Sequence, residues 1–169
     1  VAQVAHHVLL AHGKTVQSLR AAARRPLRIG LAHNPDNKVP ESSGDVEAAR
    51  ELWRRANGGW FHPLFRGDYP PGARFPPDIR SGDLESIRQP LDFMGLNVYH
   101  GVRVRRTEAG PSERPFTEGL PSTAMGWPIL PEAMNWGLRF LQDDYPAEGL
   151  FIMENGAAFD ETPGVDGRL

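Results

Sequence analysis

Residues Leu91–His100 read LDFMGLNVYH, bounded by Pro90 and Gly101. The run starts apolar on both faces, without the polar alternation of a half-exposed strand. A strand of that kind belongs in a parallel sheet covered on both sides. Two similar runs flank it, LRIGLAH at Leu27–His33 and LFIM at Leu150–Met153.

Helical patterns separate the three strands. Residues 2–24 place Val4, Val8, Ala11, Thr15 and Leu19 at three- and four-residue spacing, which predicts a helix with that face in the core. Arg24 and Arg25 suit its C-terminal end, and Pro26 stops it. Ser42 and Asp45 form a weak capping box before a second helix carrying Val46, Ala49, Leu52, Trp53, Ala56 and Trp60. Pro131 opens a third helix with Met134, Leu138 and Leu141 as its stripe. Residues 34–44, 66–82, 101–130 and 159–169 read as irregular connections. Trp53, Trp60 and Trp136 read as core or surface packing. Helices alternating with buried strands define an α/β fold with parallel strands and helical crossovers.

Composition removes several function classes. With 169 residues the chain is long enough for one domain with its own core. A net charge of −2 gives no electrostatic case for nucleic acid or an anionic membrane as partner. The absence of cysteine excludes disulfides and thiolate metal sites, and fits a reducing compartment such as the cytoplasm. No apolar run reaches membrane-spanning length, and no signal peptide is visible. The first residue is Val1, which reads as a chain that starts inside something longer. His6, His7, His33, His62 and His100 show no metal-ligand spacing, and no glycine-rich phosphate loop occurs.

In a parallel barrel the loops at the C-terminal ends of strands build the site. Glu154, Asn97, Tyr99 and His33 fall at such ends. Glu154 follows an apolar run, where a rigid and partly desolvated carboxylate suits a nucleophile or a general acid/base. The alternative is a loop cap or an arginine partner. Asn97 and Tyr99 lie two apart and share a strand face. The tyrosine could hold a carboxylate and the amide could meet a sugar hydroxyl, or both could simply pack. Trp127, after Gly126 in a long loop, offers a flat face to a sugar ring or anchors the loop. His33 and His100 read as substrate neighbours or hydrogen-bonding groups rather than metal ligands.

Five segments in order resemble glycoside hydrolase family 1, the β-glucosidase family: AHHVLLAHGKTVQSLR, ELWRRANGGWFHPLFRGDYP, LDFMGLNVYH, MGWPILPEAM and LFIMENGAAFDE. The resemblance implies part of a (β/α)₈ TIM barrel, about units five to seven, within one domain spanning 1–169. It implies a retaining β-glycosidase acting on β-glycosides or oligosaccharides, with no metal or organic cofactor. By the same resemblance Glu154 matches the nucleophile and Tyr99 the tyrosine that hydrogen-bonds it. Asn97 and Trp127 match substrate-binding residues. His100 stands where the family commonly has threonine, on the leaving-group side, and Val98 where it usually has tyrosine. Val98 should point away from Asn97 and Tyr99.

The family's acid/base glutamate lies in an Asn-Glu-Pro motif, and these 169 residues contain none. The strands expected before Val1 and after Leu169 are also missing, whereas a full barrel typically takes about 250 residues. The expectation is therefore an internal piece with little activity alone, and with sheet edges open to self-association or complementation. The competing reading is a non-catalytic barrel fragment or pseudoenzyme subunit that binds a partner chain.

Overall fold

The computed structural model describes residues 2–72, 78–116, 118–162 and 164–167. Parts of the expected irregular stretches 66–82, 101–130 and 159–169 lie outside those residues. The elements are α1 (Ala2–Ala22), β1 (Gly30–His33), β2 (Lys38–Pro40), α2 (Val46–Phe65), α3 (Asp83–Ile87), β3 (Phe93–Asn97), β4 (Val102–Thr107), β5 (Gly110–Glu113), α4 (Glu132–Asp144) and β6 (Leu150–Glu154).

The first sheet has the order β1-β3-β6 and is parallel throughout. Leu31 pairs with Met94, and Met94 with Leu150. The register shifts between Leu96 and Asn97, so that Asn97 comes to face Glu154. Three of the expected strands thus lie side by side with helices between them. A second sheet, β2-β4-β5, was not expected. β2 runs parallel to β4, and β4 and β5 form a hairpin. The connection at 101–130 therefore carries two strands, and the loop at 34–44 carries one.

The main core lies where α2 and α4 meet the strands. Trp53, Phe61, Met94, Leu96, Val98, Val104 and Phe140 are fully or almost fully buried. Trp53 stacks on Phe61 with ring centroids 5.6 Å apart and planes 14° apart. Asp144, on α4, receives Arg54 through two bonds of 2.7 and 2.6 Å and also pairs with Arg50. Burial pushes this carboxyl up, but the two guanidinium groups outweigh it and hold the pKa low.

Three local expectations change. α1 buries His6, Leu9, Gly13 and Val16, whereas Val4, Val8 and Leu19 are exposed. The helix has two apolar faces, and α3 selects the one carrying Gly13: a Cβ there would sit 1.9 Å from the Ser86 carbonyl oxygen. The Ser42–Asp45 pair caps no helix. Ser42 Oγ donates to Asp45 Oδ2 at 2.6 Å, and Asp45 Oδ1 accepts the backbone N–H of Arg106 at 2.7 Å, tying the start of α2 to β4. Finally, β6 is not buried. Phe151, Ile152 and Met153 are exposed, because among the described residues β6 pairs only with β3.

Candidate active site

Parallel pairing carries two strand ends to the same place. Beyond the register shift, the Val98 N–H donates to the Glu154 carbonyl at 2.9 Å. The Asn155 side chain returns a bond from Nδ2 to the Val98 carbonyl at 2.7 Å. These bonds lock the backbones on which Tyr99 and Glu154 sit. The Tyr99 hydroxyl then donates to Glu154 Oε2. That bond is the first cause of a raised Tyr99 pKa, because losing the phenol proton would leave two anions in contact. Val98 turns the other way into the core with Met94 and Leu96.

Glu154 itself is exposed, contrary to the partly desolvated carboxylate expected at the end of a buried strand. The open edge of β6 is the reason. Asn97, at the end of β3, is half-buried, and its Oδ1 has no hydrogen-bond partner among the described residues. A buried acceptor of this kind is normally satisfied, so it is a place for an incoming donor.

Trp127 lies across Tyr99, with ring centroids 5.5 Å apart, and touches His100 at 5.0 Å. Its loop is a tight turn. Gly126 has φ +74°, in the left-handed region that favours glycine. Thr123 closes the turn on both sides: its N–H donates to the Trp127 carbonyl at 2.8 Å, and its hydroxyl accepts the Trp127 N–H at 3.2 Å. The Ala124 N–H donates to the Ala158 carbonyl at 2.7 Å, which ties this loop to the segment after Glu154. An open cavity of about 380 Å³ lies beneath, lined by Tyr99, Thr123, Met134 and Asn155 among others.

His100 lies beside Trp127. Its Nδ1 is buried without a partner among the described residues. Burial pushes its pKa down; Asp36 opposes this and Lys38 adds to it. Lys38 is almost fully buried between Asp36 and Glu113, each at 2.7 Å. Asn57 of α2 grips the Asp36 backbone through both its N–H and its carbonyl, at 2.9 and 3.0 Å.

The structure therefore brings Glu154, Tyr99, Asn97, Trp127 and His100 to one end of the first sheet. His33 is also at a strand end, but it packs against Trp60 and Phe61 at 5.3 and 5.1 Å. Burial holds its pKa at about 4, so its imidazole is neutral near pH 7. His6 is fully buried elsewhere, between the Tyr69 hydroxyl and Asp83 at 2.9 and 3.1 Å. Among the described residues no cluster of three or more His, Cys, Asp or Glu could hold a metal ion. Thr123, Asn155 and the Lys38 pairs were not selected from sequence. Only Asn155 carried a local signal, its place directly after Glu154.

A parallel sheet with helical crossovers, and a carboxylate and tyrosine meeting at its C-terminal end, is the architecture of a (β/α) barrel with a candidate site at its strand ends. Comparison with known proteins makes the assignment specific. Residues 1–166 match the description "Glycosyl hydrolase family 1", and the chain belongs to that family. It is 35% identical to a 1,4-beta-D-glucan glucohydrolase of Thermotoga neapolitana over 97% of its own length and 40% of that protein's. It is 35% identical to Beta-glucosidase A of Thermotoga maritima over 97% of its length and 39% of that protein's. A solved structure, the Thermotoga maritima beta-glucosidase in complex with deoxynojirimycin, superposes with a TM-score of 0.77 at 33% identity, covering 97% of this chain and 38% of that one. The chain thus spans about two fifths of the length of the relatives it matches, with partial-barrel architecture. No helix among the described residues is long and apolar enough to cross a membrane.

Proposed function

We propose that this chain carries the nucleophile half of a retaining β-glycosidase site within one partial barrel domain. The observation that carries the reading is the Tyr99–Glu154 hydrogen bond between the ends of β3 and β6. A phenol donating to one carboxylate oxygen orients the group and leaves the other oxygen free to attack. Glu154 attacks the anomeric carbon, the bond to the leaving oxygen breaks, and a covalent glycosyl-enzyme forms. A second carboxyl group protonates the leaving oxygen and then activates the water that releases the sugar. Asn97 Oδ1 accepts from a sugar hydroxyl. Trp127 stacks on the leaving-group side, with His100 beside it. Relatives named as glucosidases, and one solved with the sugar-like inhibitor castanospermine, support a terminal β-linked sugar as substrate.

The acid/base group must lie about 5–5.5 Å from the nucleophile in a retaining enzyme. No Asn-Glu-Pro sequence occurs in these residues to supply it. We therefore assign that carboxyl to residues outside this chain and expect little hydrolysis from the chain alone. General acid/base assistance is typically worth about 10²–10⁴-fold. The exposed Phe151, Ile152 and Met153 of β6 favour a related reading, a subunit whose open edge takes strands from a partner or a second copy.

The test is turnover of an aryl β-glucoside by the chain alone and joined to a family segment carrying the Asn-Glu-Pro glutamate. Joining should raise turnover by at least about 10²-fold, and Glu154→Gln should abolish the gain. Equal turnover with and without that segment, unaffected by Glu154→Gln, would overturn the assignment.

A further inference from the structure

Asparagine is followed by glycine twice in the chain, at Asn57–Gly58 and at Asn155–Gly156. Such a pair is open to attack by its own backbone. Glycine has no Cβ to shield its nitrogen, or to resist the turn that brings that nitrogen onto the asparagine side-chain carbon. The fold treats the two pairs in opposite ways.

Asn57 is 1% exposed and lies inside α2. Its Nδ2 donates to the carbonyls of Asp36 at 3.0 Å and Trp53 at 2.9 Å, and its Oδ1 accepts the Asp36 N–H at 2.9 Å. The Gly58 nitrogen belongs to the helix ladder, so it reaches the side chain only if α2 opens. Asn155 and Gly156 follow the end of β6, in neither helix nor strand, and both are exposed. Among the described residues the Gly156 N–H donates no hydrogen bond, and a Cβ added at Gly156 would meet nothing within 4 Å. Both residues line the open cavity of about 380 Å³, where water and hydroxide reach them. Among the described residues the Asn155 side chain has one tie, from Nδ2 to the Val98 carbonyl at 2.7 Å.

We infer that Asn155 is a self-modification site, whose deamidation sets a second carboxylate beside Glu154 and unties the strand end that presents Tyr99. Hydroxide takes the Gly156 N–H proton and the nitrogen attacks Asn155 Cγ. The Cγ–Nδ2 bond breaks, and Nδ2 leaves as ammonia with a proton from water. The five-membered imide then adds one water. Opening at Cγ gives aspartate, and opening at the backbone carbonyl gives isoaspartate, with the main chain rerouted through Cβ and Cγ. In either product an ionised carboxylate, which only accepts, replaces the amide donor, so the tie to the Val98 carbonyl is lost. Val98 then holds this strand end only through its own N–H, and the new charge repels Glu154. Neither the reaction nor its effect on the Tyr99 contact requires that Glu154 be a nucleophile.

The test is incubation of the folded 169-residue chain at mildly alkaline pH, with each Asn-Gly peptide followed by mass spectrometry and by enzymatic methylation of isoaspartate. Asn155 should convert at least about tenfold faster than Asn57, which reacts only after local opening of α2, and the two should react at similar rates in urea. Gly156→Ala should slow conversion at Asn155 by at least about tenfold and leave Asn57 as it was. The deamidated chain, and Asn155→Asp made directly, should show displaced Tyr99 ring resonances by NMR. Equal rates at the two sites in the folded chain, or an Asn155 that stays intact when folded and converts only in urea, would overturn the site. Full conversion with Tyr99 resonances unmoved would overturn its link to Glu154. Mass and chemical shift are the readouts, so either failure leaves the glycosidase reading standing.

Discussion

His33 ends β1 against the rings of Trp60 and Phe61, and burial lowers its pKa from 6.5 to about 4. The folded chain therefore resists protonation that the unfolded chain accepts. Stability from the neutral imidazole is complete above pH 6.5 and is lost as pH falls through about 4. At about 1.36 kcal/mol per pH unit the whole window is worth roughly 3 kcal/mol, of which roughly 2 kcal/mol is gone by pH 5. That is large against a typical domain stability of about 5–15 kcal/mol. Other groups do not obscure it. Asp45, Asp83 and Asp144 have pKa values held below 3.8, so their losses come mainly at lower pH. Burial also lowers His12 and His100, which adds to the slope in the same direction. Urea unfolding followed by tryptophan fluorescence, from pH 7.5 to 4.5, separates the contributions when the chain is compared with His33→Phe. The variant should lose roughly 2 kcal/mol less than the parent between pH 7.5 and 5. Parallel pH profiles for the two proteins would refute the reasoning, because they would mean that His33 titrates alike in both states.

Two glycines should respond to alanine with opposite signs. Gly13→Ala places a methyl group 1.9 Å from the Ser86 carbonyl oxygen and should cost about 1–3 kcal/mol, whereas Gly59→Ala in α2 meets nothing within 4 Å and should gain up to about 1 kcal/mol from helix propensity; urea midpoints measure both. Asn57→Ala strips the Asp36 backbone of both its partners and should cost about 1–3 kcal/mol in the same assay.

What the sequence reveals here depends on how far apart the deciding contacts lie. The alternation of helix and apolar strand is local, and it identifies β1, β3 and β6, α1, α2 and α4 with small errors at their ends. The hairpin of β4 and β5 escapes that pattern because Arg103, Arg105 and Arg106 break it, leaving only Val102 and Val104 as inward residues. β2 has three residues, too few for any period to register. α1 shows a deeper limit. Val4, Val8 and Leu19 follow helical spacing as well as Leu9 and Val16 do, and only the close approach of α3 at Gly13 decides which face is buried. The site divides in the same way. Tyr99 and Glu154 are 55 positions apart, and nothing local joins them. Their pairing was anticipated through family motifs, whereas the bonds of Asn155 to Val98 and of Lys38 to Glu113 carry no such label.

The exposure of β6 follows from the same separation of local pattern and distant contact. Phe151, Ile152 and Met153 have the composition of a strand covered on both faces, yet each is exposed in this chain. Apolar residues encode a surface to be covered, and composition alone does not say which segment covers it. On the proposed reading, the elements that would cover β6 and those that bring the acid/base carboxyl are parts of one closed barrel. Closure would then do two things at once. It would remove water from around Glu154, and it would place the second carboxyl across the sugar from it. On that reading, a joined segment that covers β6 and carries the Asn-Glu-Pro glutamate should bury Glu154 and supply its proton donor together.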